Sequence, residues 1–164
     1  MPGRTDIGAA VCAVAFVVVL AVSAYWDSNI RLLHVFEAIP YVLAAVLALR
    51  RRKDGYALGI VGGAFWLWCG GFLTTFVRNG FERLGVLFRT GSVDRPDILI
   101  AVPAAIATGG LALFSTLSYA QARDKRWKDT LVLAAAIVLV PAYYLAIFRV
   151  FMPQYLEMFR RLLH

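Results

Sequence analysis

The positions of this chain best equipped for chemistry lie in "RLLHVFEAIPY", residues 31–41, where a His, a Glu and a Pro interrupt a run that is otherwise mostly hydrocarbon. If the run is helical, Arg31, His34, Glu37 and Tyr41 share about a third of the circumference. Glu37 then lies about 9 Å deeper along the axis than Arg31. Pro40 has no N–H to give the carbonyl of Phe36, so an acceptor is left free at the depth of the carboxyl.

Two roles fit this stripe. In the simpler one Glu37 joins helices, paired with Arg78 or Arg149 or hydrogen-bonded as the neutral acid. In the other, His34 and Glu37, with Tyr41, Arg78, Asn79 and Arg149 around them, move a proton or bind a ligand. Ionisable groups inside a membrane cost roughly 2.5–3.5 kcal/mol at its centre and commonly mark function. His-x-x-Glu supplies only two of the ligands a metal needs, so no metal and no cofactor is expected.

Other catalytic signatures are missing: there is no CxxC, no phosphate loop rich in glycine and no Ser nucleophile elbow. Cys12 and Cys69 fall inside apolar runs, where thiols are small fillers. His164 is terminal, which leaves one internal imidazole and excludes a bis-His haem within one chain.

The elements that must position the stripe follow from composition. Hydrophobic residues make up 61% of the 164 and charged residues 16%, and mean hydropathy is +0.72, well outside the soluble range. The net charge of +7 comes from cations flanking apolar runs, a pattern of membrane-surface loops rather than of a nucleic-acid surface. Apolar runs at 7–25, 32–49, 56–77, 98–120 and 131–152 each approach the roughly 20 residues that a spanning helix requires. The expected fold is one all-α, polytopic transmembrane helix bundle over 1–164, with five spans. Strands of a barrel would alternate over about 10 residues instead.

The first run carries "VSA" at 22–24, which resembles a signal-peptide cleavage site, but Arg4 is nearly offset by Asp6 and a retained helix is the better fit. Cations divide almost evenly between the two sides. The short dense loops "RRRKD" and "RDKRWKD" favour a cytoplasmic N-terminus in a cell inner membrane. Segments near 80–92 and 153–164 are amphipathic: Phe81, Leu84 and Phe88 oppose Glu82, Arg83 and Arg89, and Tyr155, Leu156, Phe159, Leu162 and Leu163 oppose Glu157, Arg160 and Arg161. Both suit short helices in the interface.

Close packing is predicted where small residues line a face. In the fourth span Ala101, Ala105, Gly109 and Ala112 do so with Ala104, Thr108, Ser115, Thr116 and Tyr119; in the third, Gly59 and Gly63 lead to Gly70, Gly71 and Thr74, interrupted by Leu67. The fourth span should therefore be central. The expected function is that of a non-catalytic accessory or scaffold subunit, with the bilayer and other membrane subunits or further copies as partners. The alternative is a small transporter or lipid-handling protein using the Glu37 and His34 site.

Overall fold

A computed structural model of the chain describes residues 1–122 and 127–162. Among them there is no strand. The helices are α1 (Arg4–Trp26), α2 (Arg31–Leu49), α3 (Lys53–Trp68), α4 (Phe76–Thr90), α5 (Pro96–Leu99), α6 (Ala101–Gln121), α7 (Trp127–Phe151) and α8 (Pro153–Leu162). Five are long and apolar enough to cross a membrane: α1, α2 with the 3₁₀ turn before it, α3 with its continuation, α5 joined to α6, and α7. The chain is an all-α multi-pass bundle in which backbone polar groups are met inside helices, as hydrocarbon demands.

The helix ends refine the expected spans. The third stops at Leu73, not at residue 77, because Cys69–Leu73 winds as a π-helix and Thr75 adopts left-handed backbone at φ 55°. That conformation is costly for a residue with a Cβ. It turns the chain out of the bundle and starts α4, whose Phe81 and Phe88 face outward, as an interfacial helix would leave them. The second amphipathic segment is helical as α8. The side chains of Leu156, Phe159, Arg161 and Leu162, the loop cations Arg123, Lys125 and Arg126, and Leu163 and His164 lie outside the described residues.

The third and fourth spans form the interior: half of each is buried, 50%, against 28% or 33% for the other three. Where α3 meets α6, a Cβ added to Gly63 would stand 2.5 Å from the Thr108 carbonyl oxygen and 3.1 Å from Ala112, and one added to Gly59 would run into Ser115. At Gly63 backbone lies on backbone, the contact that small residues permit when lipid supplies no hydrophobic drive. Ala105 is buried as expected, whereas Ala101 packs on Gly80 of α4.

Gly109 does not belong to the close contact. Leu67, the apparent interruption of the α3 stripe, fills the space beside it, and an added Cβ would meet Leu67 Cδ1 at an ordinary 3.7 Å. The small face of α6 also extends toward α1, where Gly110 lies against Cys12 Sγ. α1 thus packs as an integral member of the bundle, burying Ala9, Ala10, Ala13, Phe16 and Leu20.

Opposite effects are expected from one added methyl group. Gly63→Ala forces α3 and α6 apart, an overpacking cost of about 1–3 kcal/mol. Gly109→Ala is neutral or gains up to about 1 kcal/mol from helix propensity. Thermal unfolding in a single detergent checks this: Gly63→Ala should melt clearly below wild type and Gly109→Ala should not, whereas equal melting temperatures would remove the close contact.

Candidate functional site

α1 and α2 form an antiparallel hairpin whose turn sets the site. Asp27 Oδ1 accepts from Asn29 N–H at 2.9 Å, and Arg31 Nε donates to the Ala24 carbonyl at 3.0 Å. Ser23 lies three residues before the end of α1 and His34 three residues after the start of α2. At 1.5 Å per residue the two stand about 4.5 Å from their helix ends, hence side by side. His34 Nε2 is 3.1 Å from Ser23 Oγ, and His34 Nδ1 is 2.6 Å from Glu37 Oε2.

Glu37 is buried at 6% exposure, and its partner is this histidine one turn back. Neither expected arginine reaches it. Arg78 is exposed on α4 and pairs with Glu82 at 3.2 Å, because the turn at Thr75 carries it out of the third span. Arg149 is exposed near the end of α7. Asn79, in the first turn of α4, donates its side-chain amide to Thr75 Oγ1 at 3.5 Å. These three do not line the cavity described below.

Tyr41 has a packing role. Its hydroxyl donates to the Gly62 carbonyl at 3.2 Å and accepts from Tyr144 at 2.9 Å, tying α2, α3 and α7 together. The acceptor freed by Pro40 is also met, since Tyr143 of α7 donates to the Phe36 carbonyl at 2.8 Å. In a medium without water, an unpaired carbonyl at this position would cost several kcal/mol.

Ser23, His34 and Glu37 face one cavity of about 420 Å³, walled by α1, α2, α3, α7 and the residues leading into α6. Its apolar lining includes Phe16, Leu33, Trp66 and Phe148; Asp27, Thr74 and Asp97 are further polar contributors. Among the lining residues there is no Lys or Arg. Each carboxyl is already engaged: Glu37 with His34, Asp27 with the Asn29 amide, and Asp97 with Arg95 at 2.7 Å. No group of three or more metal-ligating side chains occurs among the described residues.

A second, shallower hollow of about 580 Å³ adjoins it between α1 and the residues from Val93 to Pro103. Every residue lining it is apolar. Val19, Trp26 and Ile100 line both, so the cavity that holds His34 and the apolar groove share a wall.

Two features escape a reading of the sequence. Ser23 carries no motif; its only signal is that it and His34 are equally distant from the turn. Asp6 is the other. It is buried at the opposite end of the bundle, where it accepts from Tyr56 Oη and from the Gly3 amide, each at 2.7 Å, with Arg51 3.8 Å away. A lone Asp before a long apolar run gives no hint of a partner fifty residues on. No family model, no curated protein and no solved structure matches this chain.

Proposed function

We propose that this protein handles amphiphiles in the membrane, holding an uncharged polar head in the cavity beside His34 and an acyl chain in the adjoining groove. The observation that carries this reading is the shared wall: a mostly apolar chamber that holds a few polar side chains and a wholly apolar groove meet at Val19, Trp26 and Ile100. Binding sites pair apolar walls with a few polar groups that orient the ligand. Carboxyls that already have partners, in a lining without Lys or Arg, disfavour an anionic head and accept one that donates and receives hydrogen bonds. The expectation of an accessory subunit rests on the size of the chain, and the cavity has no part in it.

A cell inner membrane with the N-terminus in the cytoplasm belongs to the same proposal. The short Arg50 to Lys53 loop supports it, and the cavity would then open toward the opposite side. In a chain with Cys12 and Cys69 replaced by Ala, cysteine at Ser92 should react with an impermeant maleimide on intact cells and cysteine at the exposed Arg52 should not. The reverse pattern refutes this orientation.

Trp26 and Trp66 line the cavity, so ligand entry can be read by fluorescence. A monoacylglycerol brominated on its chain should quench saturably and more strongly than the fatty acid with the same chain. Val19→Phe, which narrows the shared wall, should weaken this roughly tenfold, equivalent to about 1.4 kcal/mol. Equal quenching by the fatty acid, or no effect of Val19→Phe, would contradict the reading.

A further inference from the structure

We infer that Ser23, His34 and Glu37 form a nucleophilic relay that cleaves an ester bond of the amphiphile held in the cavity. This rests on the ligand-handling reading above and adds a reaction to it. Three elements of acyl-transfer chemistry are present together: a hydroxyl within hydrogen-bond distance of an imidazole, an acid on the other imidazole nitrogen, and a cavity onto which all three open. The order of contacts is the productive one. With Nδ1–H donated to Glu37, Nε2 carries the lone pair and faces the Ser23 hydroxyl.

Helix geometry makes the arrangement rigid. His34 and Glu37 are separated by one turn of α2, so their contact is local. Ser23 is held abreast of them by the Asp27 turn and by the bond from Arg31 to the Ala24 carbonyl. Glu37 is buried and His34 is nearly so, at 7% and 14% side-chain exposure, while Ser23 is half-buried and Asp27 beyond it is exposed. The relay therefore runs from interior to mouth, with its hydroxyl at the accessible end.

The step balances without a redox partner. Ser23 Oγ gives its proton to His34 Nε2 and bonds to the ester carbonyl carbon. The tetrahedral intermediate collapses, the ester C–O bond breaks, and the departing alcohol oxygen takes the proton from Nε2. Water entering at the mouth then gives a proton to Nε2 and attacks the acyl-serine, and Oγ leaves with that proton. The net change is ester plus water to carboxylic acid plus alcohol. Trp66, which lines the same cavity, supplies its indole N–H to the developing oxyanion, whereas the Thr74 hydroxyl is already given to the Cys69 and Gly70 carbonyls. The lining also suits release, since a fatty-acid carboxylate meets carboxyls and no Lys or Arg.

Ser23 and His34 act on the reacting atoms, and Glu37 is a positioning residue. A fluorophosphonate bearing a short alkyl chain, applied to the folded protein in detergent and followed by intact mass and peptide mapping, tests the assignment. One adduct per chain is expected, on Ser23, and none in Ser23→Ala. His34→Gln should slow labelling at least ~100-fold, the lower end of general-base contributions. Glu37→Gln should slow it while leaving the melting temperature near wild type, and Glu37→Asp should recover part of the rate. Thr116→Ala, on the outer face of α6, should label like wild type. The wild type should also turn a monoacylglycerol into fatty acid and glycerol, and Ser23→Ala should not.

An adduct on another residue, a rate indifferent to His34→Gln, or no labelling of a folded chain would each overturn the relay. If bromolipid quenching persists in that last case, the amphiphile site survives without the chemistry. If quenching is absent too, both fall.

Discussion

Close approach of α3 to α6, on the Thr108 carbonyl at Gly63 and on the Ser115 side chain at Gly59, sets the dimensions of the rest of the bundle. Lipid tails are as apolar as leucine, so helices gain from meeting only where they fit closely, and the absence of two side chains lets this pair meet on the Thr108 carbonyl. Along the same two helices the fit is then lost. Leu67 fills the space beside Gly109, α3 unwinds into a π-helix at Cys69, and Cys69, Gly70 and Ala104 line a void instead of touching. The bundle is tight at one end and hollow at the other, and Ser23, His34 and Glu37 lie at the hollow end.

Polar groups inside such a bundle are costly unless met within it, and the structure pairs several of them with a group on another helix or one turn away. Tyr143 serves the carbonyl that Pro40 leaves open, Tyr144 and Tyr41 pass a chain of hydroxyls to Gly62, and Tyr56 closes over Asp6. These tyrosines bring large apolar rings and one polar atom each, which suits an interior that is greasy but must not leave a lone pair bare. Glu37 differs in that its partner is itself a group able to move a proton. Histidine here stands between a hydroxyl and a carboxyl, with a void beside it.

Much of this was legible in the sequence, and where it was not the reasons are particular. Spans follow from apolar length, and the pairing of Pro40 with a freed carbonyl follows from covalent structure; both appear as expected. The third span was read four residues too long because "TTFV" is apolar enough to continue it, and the left-handed backbone at Thr75 has no signature without a glycine. That error moved Arg78 into the bundle and made it a partner for Glu37. Gly109 and Gly63 look alike in sequence, and only the position of Leu67 separates a close contact from a filled one. Ser23 was hidden because hairpin register, not spacing along one helix, brings it to His34.

The arrangement at the hollow end can be observed directly through the imidazole. In a chain whose terminal His164 is replaced by Gln, His34 is the single histidine, and imidazole-nitrogen-labelled protein in micelles gives one pair of ring signals. The account predicts a fixed tautomer with the proton on Nδ1, strongly shifted downfield by its bond to Glu37, and loss of that shift in Glu37→Gln. A ring that exchanges freely between tautomers, with a spectrum unchanged by Glu37→Gln, would contradict it.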